Sequence, residues 1–355
     1  MPEPADRPRS RARGRWPPPA TALAGGLAVV VVAAGPALAE EAAPGAAAPS
    51  VRCAVTDPRL AELSGLVVVG EQMLALNDGG DQVAVFGLDP SCSVVDVQTA
   101  PVDPYDPEDL AVGPDGTVWV ADTGDNNSDR ATVALHVLRP DGTASLHRLT
   151  YPDGAHDAEA LLMAPDGTPY LVTKEVLGAS AVYRPAGALV DGGTVALERV
   201  GSVDVTLTGT PGGPVGRAGQ LMITGGAVAA DGSALALRTY TDAYVWPLQG
   251  SDVAGALTGE PVRTPLPESP QGEAVSFAAD SRALVVASEG LPSEVTVVPL
   301  PVAAVPATTA PPPGEPLPSF ADLTRSDRSP LPAALIAAAV ATLVVWLGGR
   351  LRRRS

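Results

Sequence analysis

Lysine is almost missing from this 355-residue chain: Lys174 stands alone among 23 basic residues, and there are only three histidines and two cysteines. Each shortage closes off a chemistry. A Walker-type phosphate loop places a glycine before its lysine, and here Thr173 precedes Lys174. No Cys-x-x-Cys occurs, so zinc-ribbon and thioredoxin-like sites have no support. The Gly-x-Ser-x-Gly elbow and the His-Glu-x-x-His pair are also missing. Aromatic residues make up 4% of the chain, and no basic, aromatic-rich face can be drawn for nucleic acid, which is therefore not an expected partner.

What is present begins with two apolar segments. Arg7, Arg9, Arg11, Arg13 and Arg15 precede an apolar run from Ala20 to Ala34 and then Ala37-Leu38-Ala39, the three parts of a secretory signal. A signal peptide over 1–39 with cleavage before Glu40 is expected, and an uncleaved signal anchor is the alternative. Leu331 to Gly349 carries no charge, and at ~1.5 Å of rise per residue a helix there spans ~28 Å, enough to cross a bilayer core. Arg350, Arg352, Arg353 and Arg354 follow, so residues 350–355 form a basic tail on the cytoplasmic side and everything before the helix lies outside. No Leu-Pro-x-Thr-Gly precedes the helix, which favours a retained membrane anchor over wall attachment.

Between 1–39 and 331–355 the chain holds 14 basic and 38 acidic residues, a net charge near −24. Such a surface repels phosphates and anionic lipid, and it favours cations, basic partners or simple solubility. Cys53 and Cys92 both fall in this exported part, where oxidation is permitted, so one disulfide is expected between them.

One pattern recurs after a short spacer (40–50): a polar or small residue, an apolar strand, a tight turn, a second strand ending in a polar residue, then a third strand. Ser64-Gly65-Leu66 leads to Leu76-Asn77-Asp78, Glu108-Asp109-Leu110 to Val120-Ala121-Asp122, and Glu159-Ala160-Leu161 to Val172-Thr173-Lys174. Gly226-Ala227-Val228 leads to Leu237-Arg238-Thr239, and Glu273-Ala274-Val275 to Ala287-Ser288-Glu289. Pro114-Asp115-Gly116, Pro165-Asp166-Gly167 and Ala230-Asp231-Gly232 sit at matching places as hairpin turns. The pattern predicts an all-β fold, a single β-propeller over 51–300. Five repeats are visible, and Thr194 to Leu221 is long enough to hold the strands of a sixth blade. The last repeat lacks a fourth strand, which residues 51–55 can supply, placing the disulfide at the seam. Residues 301–330, rich in Pro, Ala, Ser and Thr, read as a stalk.

Asp106-Pro107-Glu108-Asp109-Leu110-Ala111, Ala121-Asp122-Thr123-Gly124-Asp125-Asn126, the run Tyr151 to Ala160, Leu237-Arg238-Thr239-Tyr240 and Gln271-Gly272-Glu273-Ala274 carry a resemblance. With these motifs residues 51–300 resemble secreted, membrane-anchored β-propeller proteins of actinobacteria, and more remotely phytase-like and lactonase-like propellers. The resemblance implies a propeller on the cell surface and fixes no activity.

In a propeller the residues opening each inner strand gather around the central axis, so Glu108, Glu159 and Glu273 are expected to converge, with Ser64 and Gly226 at the equivalent positions. Converging carboxylates call for a cation among them, and oxygen donors with few His and no free Cys suit Ca²⁺ or Mg²⁺. The alternative is that these glutamates bond backbone amides of the neighbouring blade. Asp122, Asp125 and Asn126 concentrate further oxygen donors in one loop. Asp125, Asn127 and Asp129 match part of an EF-hand, but Arg130 replaces its glycine, so an EF-hand is rejected and a loop held by Asx turns stays open. Lys174 and Arg238, where second strands end, join the three glutamates as ligand-binding candidates. His156, flanked by Asp153 and Asp157, is the candidate general base beside Lys174.

The sequence thus describes a surface-displayed propeller that binds an extracellular protein or small molecule, with Ca²⁺ as the candidate ion in its channel. The alternative is a Ca²⁺-dependent hydrolase of phosphoesters or lactones.

Overall fold

The computed structural model describes residues 47–301 and 304. The expected signal peptide (1–39), transmembrane helix (331–349) and basic tail (350–355), with most of the 301–330 stalk, lie outside the described residues. No helix among the described residues is long and apolar enough to cross a membrane.

Among the described residues, twenty strands form five antiparallel four-stranded blades. Strand β1 (Ser50–Val55) comes first in the chain and is used last. Blade 1 is β2 (Leu63–Val69), β3 (Gln72–Asn77), β4 (Val83–Leu88) and β5 (Val94–Ala100). Blade 2 is β6 (Pro107–Val112), β7 (Val118–Asp122), β8 (Val133–Leu138) and β9 (Ala144–Thr150). Blade 3 is β10 (Ala158–Met163), β11 (Pro169–Thr173), β12 (Ala179–Pro185) and β13 (Thr194–Asp204). Blade 4 is β14 (Ile223–Val228), β15 (Ala234–Thr239), β16 (Asp242–Pro247) and β17 (Val262–Pro265), and blade 5 is β18 (Gly272–Phe277), β19 (Ala283–Ser288) and β20 (Ser293–Pro299), completed by β1. The inner strands β2, β6, β10, β14 and β18 touch in a closed cycle, which makes the molecule a five-bladed β-propeller.

The stretch that could have hidden a sixth blade holds one long strand instead. Strand β13 runs for 11 residues; its first part pairs in parallel with β9, which joins blades 2 and 3 edge to edge, and the rest pairs with β12. The chain then crosses to blade 4 through a loop and a 3-10 turn at Gly216–Gln220.

There is no single core. Five apolar clusters each fill the gap between two adjacent blades: Leu76, Val85, Leu110 and Val120 pack blade 1 on blade 2, and Leu162, Val172, Leu235 and Trp246 pack blade 3 on blade 4. The strands therefore bury both faces, and alternate residues serve alternate gaps: Leu161 faces blade 2 while Ala160 and Leu162 face blade 4. Near the axis the blades approach so closely that side chains must be small. A side-chain carbon at Gly65 would overlap Leu110, and one at Gly226 would meet Leu162 and Ala160.

Closure takes place between blades 5 and 1. Strand β1 pairs antiparallel with β20, and Cys53 on β1 is bonded to Cys92 in the turn before β5, with Cα atoms 5.8 Å apart. The bond spans a sequence separation of 39 and ties the ends of the ring together. A Cys53→Ala/Cys92→Ala variant is expected to lose about 4 kcal/mol of stability by the loop-entropy relation, read as a lower urea midpoint with unchanged slope.

Candidate functional site

The register of all five blades breaks at one place. Each inner strand carries a bulge against its second strand, between Leu63 and Gly65, Pro107 and Asp109, Ala158 and Ala160, Ile223 and Gly225, and Gly272 and Val275. A bulged residue has no partner in the ladder, so its side chain is free to turn toward the axis. The bulged positions are Ser64, Glu108, Glu159, Thr224 and Glu273, which form one ring. The fourth member corrects the sequence reading, which placed Gly226 there: the bulge falls two residues earlier, at Thr224, and Gly226 packs against Leu162 and Ala160 of the neighbouring blade.

The two hydroxyls in this ring stitch blades together. Ser64 Oγ donates to the carbonyl of Glu108, and Thr224 Oγ1 donates to the carbonyl of Gly272 at 2.9 Å. The three glutamates do something else. They are buried, at 4%, 2% and 3% exposure for Glu108, Glu159 and Glu273, and none accepts a backbone amide among the described contacts. Glu159 Oε1 accepts from Lys174 Nζ, Glu273 Oε1 accepts from Gln271 Nε2 at 3.1 Å, and Glu159 Oε2 has no partner.

A second ring, one residue beyond each second strand, reads Asp78, Thr123, Lys174, Tyr240 and Glu289. Residues entering the inner strands add Asp106 and Asp157. These carboxylates form two groups, Asp78 with Asp106 and Glu108, and Glu108 with Asp157 and Glu159; within each, ligand atoms lie within 4.8 Å of one another. Glu108 belongs to both. Glu273, expected to converge with Glu108 and Glu159, belongs to neither group and bonds Glu289 instead. The structure thus gathers Glu108 and Glu159 around one position and places Asp78, Asp106 and Asp157, which sequence reasoning had not selected, beside them.

Seven carboxyl groups around one mouth cannot all be charged in the absence of a cation. Burial first, then the neighbouring charges, pushes Asp78 up to about 7 and Glu289 up to about 9, and raises Glu108 and Glu159 well above the usual carboxyl range. Burial opposes the charge on Lys174, but Glu159, Tyr240 and Glu108 outweigh it and keep the ammonium protonated. Its nitrogen also lies 5.6 Å from the centre of the Tyr240 ring.

Gly124 completes the mouth. Its amide donates to Asp106 O at 3.0 Å, and a side-chain carbon there would overlap Glu108 Oε1 and Asp106 Oδ2. Gly124→Ala is therefore expected to displace Glu108 and Asp106 while leaving the fold intact, and to weaken by about tenfold or more whatever divalent-cation uptake calorimetric titration finds in the wild type.

The other candidates have different surroundings. Asp122 accepts from the amides of Tyr105 and Asp106, from Arg130 Nη2 at 2.9 Å, and pairs with buried His136 at 3.1 Å. Burial works against its charge, yet His136 and Arg130 hold it down at about 2. Asp122 thus positions Asp106 through the backbone. Asp125 accepts from the amides of Asp129 and Arg130, four and five residues on, which closes the loop without an Asx turn, and its own amide donates to Asp157 Oδ1 at 2.8 Å. Asn126 is exposed. Arg238, 1% exposed, donates to the carbonyls of Thr239, Ala274 and Ala287, bridging blades 4 and 5. His156 contacts Asp153 Oδ1 at 3.1 Å and the Tyr183 hydroxyl at 3.0 Å, a cluster on the outer part of blade 3.

Below the mouth, Asp109 crosses the channel. Its Oδ1 accepts from the amide of Leu110 at 2.8 Å, and Oδ2 accepts from Leu161 at 2.8 Å and Gly226 at 3.2 Å, joining the inner strands of blades 2, 3 and 4. Beyond it the channel widens into a cavity of ≈ 550 Å³ lined chiefly by apolar residues such as Val67, Leu110, Leu161 and Phe277. A smaller cavity of ≈ 320 Å³ opens beside the mouth, walled by Arg238, Ser269, Ser288 and Glu289.

No family model matches this chain, and no curated protein matches it. Among solved structures it is similar to one assigned as a gluconolactonase, at 15% identity and a TM-score of 0.40, covering 67% of this chain and 74% of that one. It is also similar to the PQQ-bound aldose sugar dehydrogenase of Streptomyces coelicolor, at 12% identity and a TM-score of 0.37, covering 72% and 99%. A glucose dehydrogenase gives 11% identity and a TM-score of 0.41, covering 72% and 100%. At these values the likenesses carry no argument about chemistry, which rests on the site itself.

Proposed function

We propose that this protein is a cation-dependent binding module, held outside the cell by a membrane helix at 331–349, with the acidic mouth of the propeller as its binding surface. The observation that carries this reading is the group of Asp78, Asp106 and Glu108: three carboxylates within 4.8 Å, with no basic side chain paired to any of them among the described residues. An all-oxygen donor set of this kind suits Ca²⁺, which takes six to eight oxygens and would keep positions open for a ligand rich in hydroxyl, carboxylate or phosphate oxygens. The cavity walled by Arg238, Ser288 and Glu289 offers that ligand a recess on the same side of the propeller.

A second reading, hydrolysis of a phosphoester or lactone, is supported by Lys174. Its ammonium holds a proton at Nζ beside Glu159 and Tyr240, in the ring that also carries Asp78. A bound Ca²⁺ would supply Lewis-acid polarisation of a carbonyl or phosphoryl oxygen. In either reading Glu108 and Asp106 would hold the ion, and Asp122 positions Asp106 through the backbone.

Calcium titration of the purified full-length chain by calorimetry tests the binding reading. Saturable uptake that is lost in Asp106→Asn supports it; no heat, or uptake unchanged in the variant, sinks it. Turnover of generic phosphoesters or lactones by the wild type, abolished by Glu108→Gln, would move the assignment to the hydrolase.

A further inference from the structure

Glu108 belongs to two carboxylate groups, and the two differ in one respect. Asp78, Asp106 and Glu108 have no basic partner among the described residues, whereas in the group of Glu108, Asp157 and Glu159 the Lys174 ammonium is bonded to Glu159 Oε1. We propose that the channel mouth has two cation positions bridged by Glu108, and that Lys174 is a built-in occupant of the second, so that removing its charge opens that position to a divalent ion. The inference rests on the cation reading of the first position.

The geometry goes beyond an ordinary ion pair. Glu159 is 2% exposed and its Oε2 has no hydrogen-bond partner, an uncommon state for a buried carboxylate oxygen. A single ammonium on Oε1 therefore leaves the position only partly satisfied. Asp157 is half-buried and its Oδ1 already accepts the Asp125 amide, so this ligand is held in place by backbone that does not depend on Lys174. Lysine suits the role because its charge is compact; an arginine fork is wider and planar, and arginine supplies every other basic residue of the chain. If Lys174 were only a salt-bridge partner, its loss would leave Glu159 to take up a proton and no ion would follow.

The experiment counts bound Ca²⁺ per full-length chain, by calorimetry and by metal analysis after gel filtration, for the wild type, Lys174→Met and Lys174→Met/Glu159→Gln. Lys174→Met is expected to hold one more Ca²⁺ than the wild type, to melt lower than the wild type in chelator, and to recover when Ca²⁺ is added. The added Glu159→Gln change is expected to return the count to the wild-type value. Equal counts in wild type and Lys174→Met overturn the inference. If Lys174→Met does not fold in chelator, refolding on addition of Ca²⁺ supports it. Failure to refold with Ca²⁺ while the double variant folds overturns it. The wild-type count reads the binding proposal alone, and the difference between variants reads this one, so each can fail separately.

Discussion

Replacing Asp109 with alanine is expected to destabilise the propeller by about 5 kcal/mol, because a buried carboxylate that accepts from three amides is lost at once. Leu110, Leu161 and Gly226 belong to three different blades, and the carboxylate reaches all three from a position 1% exposed to solvent. Burial pushes this carboxyl up to about 8 while the three amides favour its charged form. Asp109→Asn keeps one oxygen acceptor but turns an N–H₂ toward an N–H, so an intermediate loss of about 2 kcal/mol is expected. Asp141→Ala, which removes an exposed hairpin-turn acceptor, is the control and should cost under about 1 kcal/mol. Urea unfolding of the full-length variants distinguishes these values, and a loss below about 1 kcal/mol for Asp109→Ala would show that the amides find other partners.

Without a bound ion, stability should fall as the pH rises. Asp78 at about 7, Asp109 at about 8 and Glu289 at about 9 are all raised, burial being the first cause in each. A carboxyl raised on folding stabilises the native state fully below its ordinary value and progressively less as the pH climbs through the raised one. The expected window therefore opens just above the ordinary carboxyl value and closes near the highest raised one, from about pH 4 to about pH 9, with a loss on the order of several kcal/mol after the solvent access of Asp78 and Glu289 is allowed for. Asp122, held at about 2, contributes in the opposite sense and only in acid, so it does not enter this window. Saturating Ca²⁺ should flatten the slope, because the ion favours the charged carboxylates. A melting temperature in chelator that is flat or rises over the same range would contradict the reading.

Much of this architecture is legible in the residues. The turn triplets and the polar residues closing second strands mark the blades, and the missing outer strand of the last repeat points to β1 and hence to the seam that Cys53 and Cys92 close. Glu108 and Glu159 are legible as converging because they open equivalent strands. Asp78, Asp106 and Asp157 carry weaker signals: Asp78 occupies the same place after a second strand as Lys174 and Glu289, and Asp106 and Asp157 each stand two residues before a bulged glutamate. The bulge itself is a register effect that side-chain patterning does not reveal, which is why the fourth blade was aligned on Gly226 in place of Thr224. Asp109 escaped for a related reason: a carboxylate within an apolar strand reads as an oddity until three blades bring their amides to it.

Thermal unfolding of the wild-type full-length chain at about pH 8, in Ca²⁺ and in chelator, tests the central claim most directly. At about 100 times its Kd, an ion bound only by the folded state adds about 2.7 kcal/mol and raises the midpoint by about 5–10 °C, and the Asp106→Asn variant should show little of this rise. Coincident midpoints for the wild type in Ca²⁺ and chelator would mean that the carboxylates at the mouth hold no calcium.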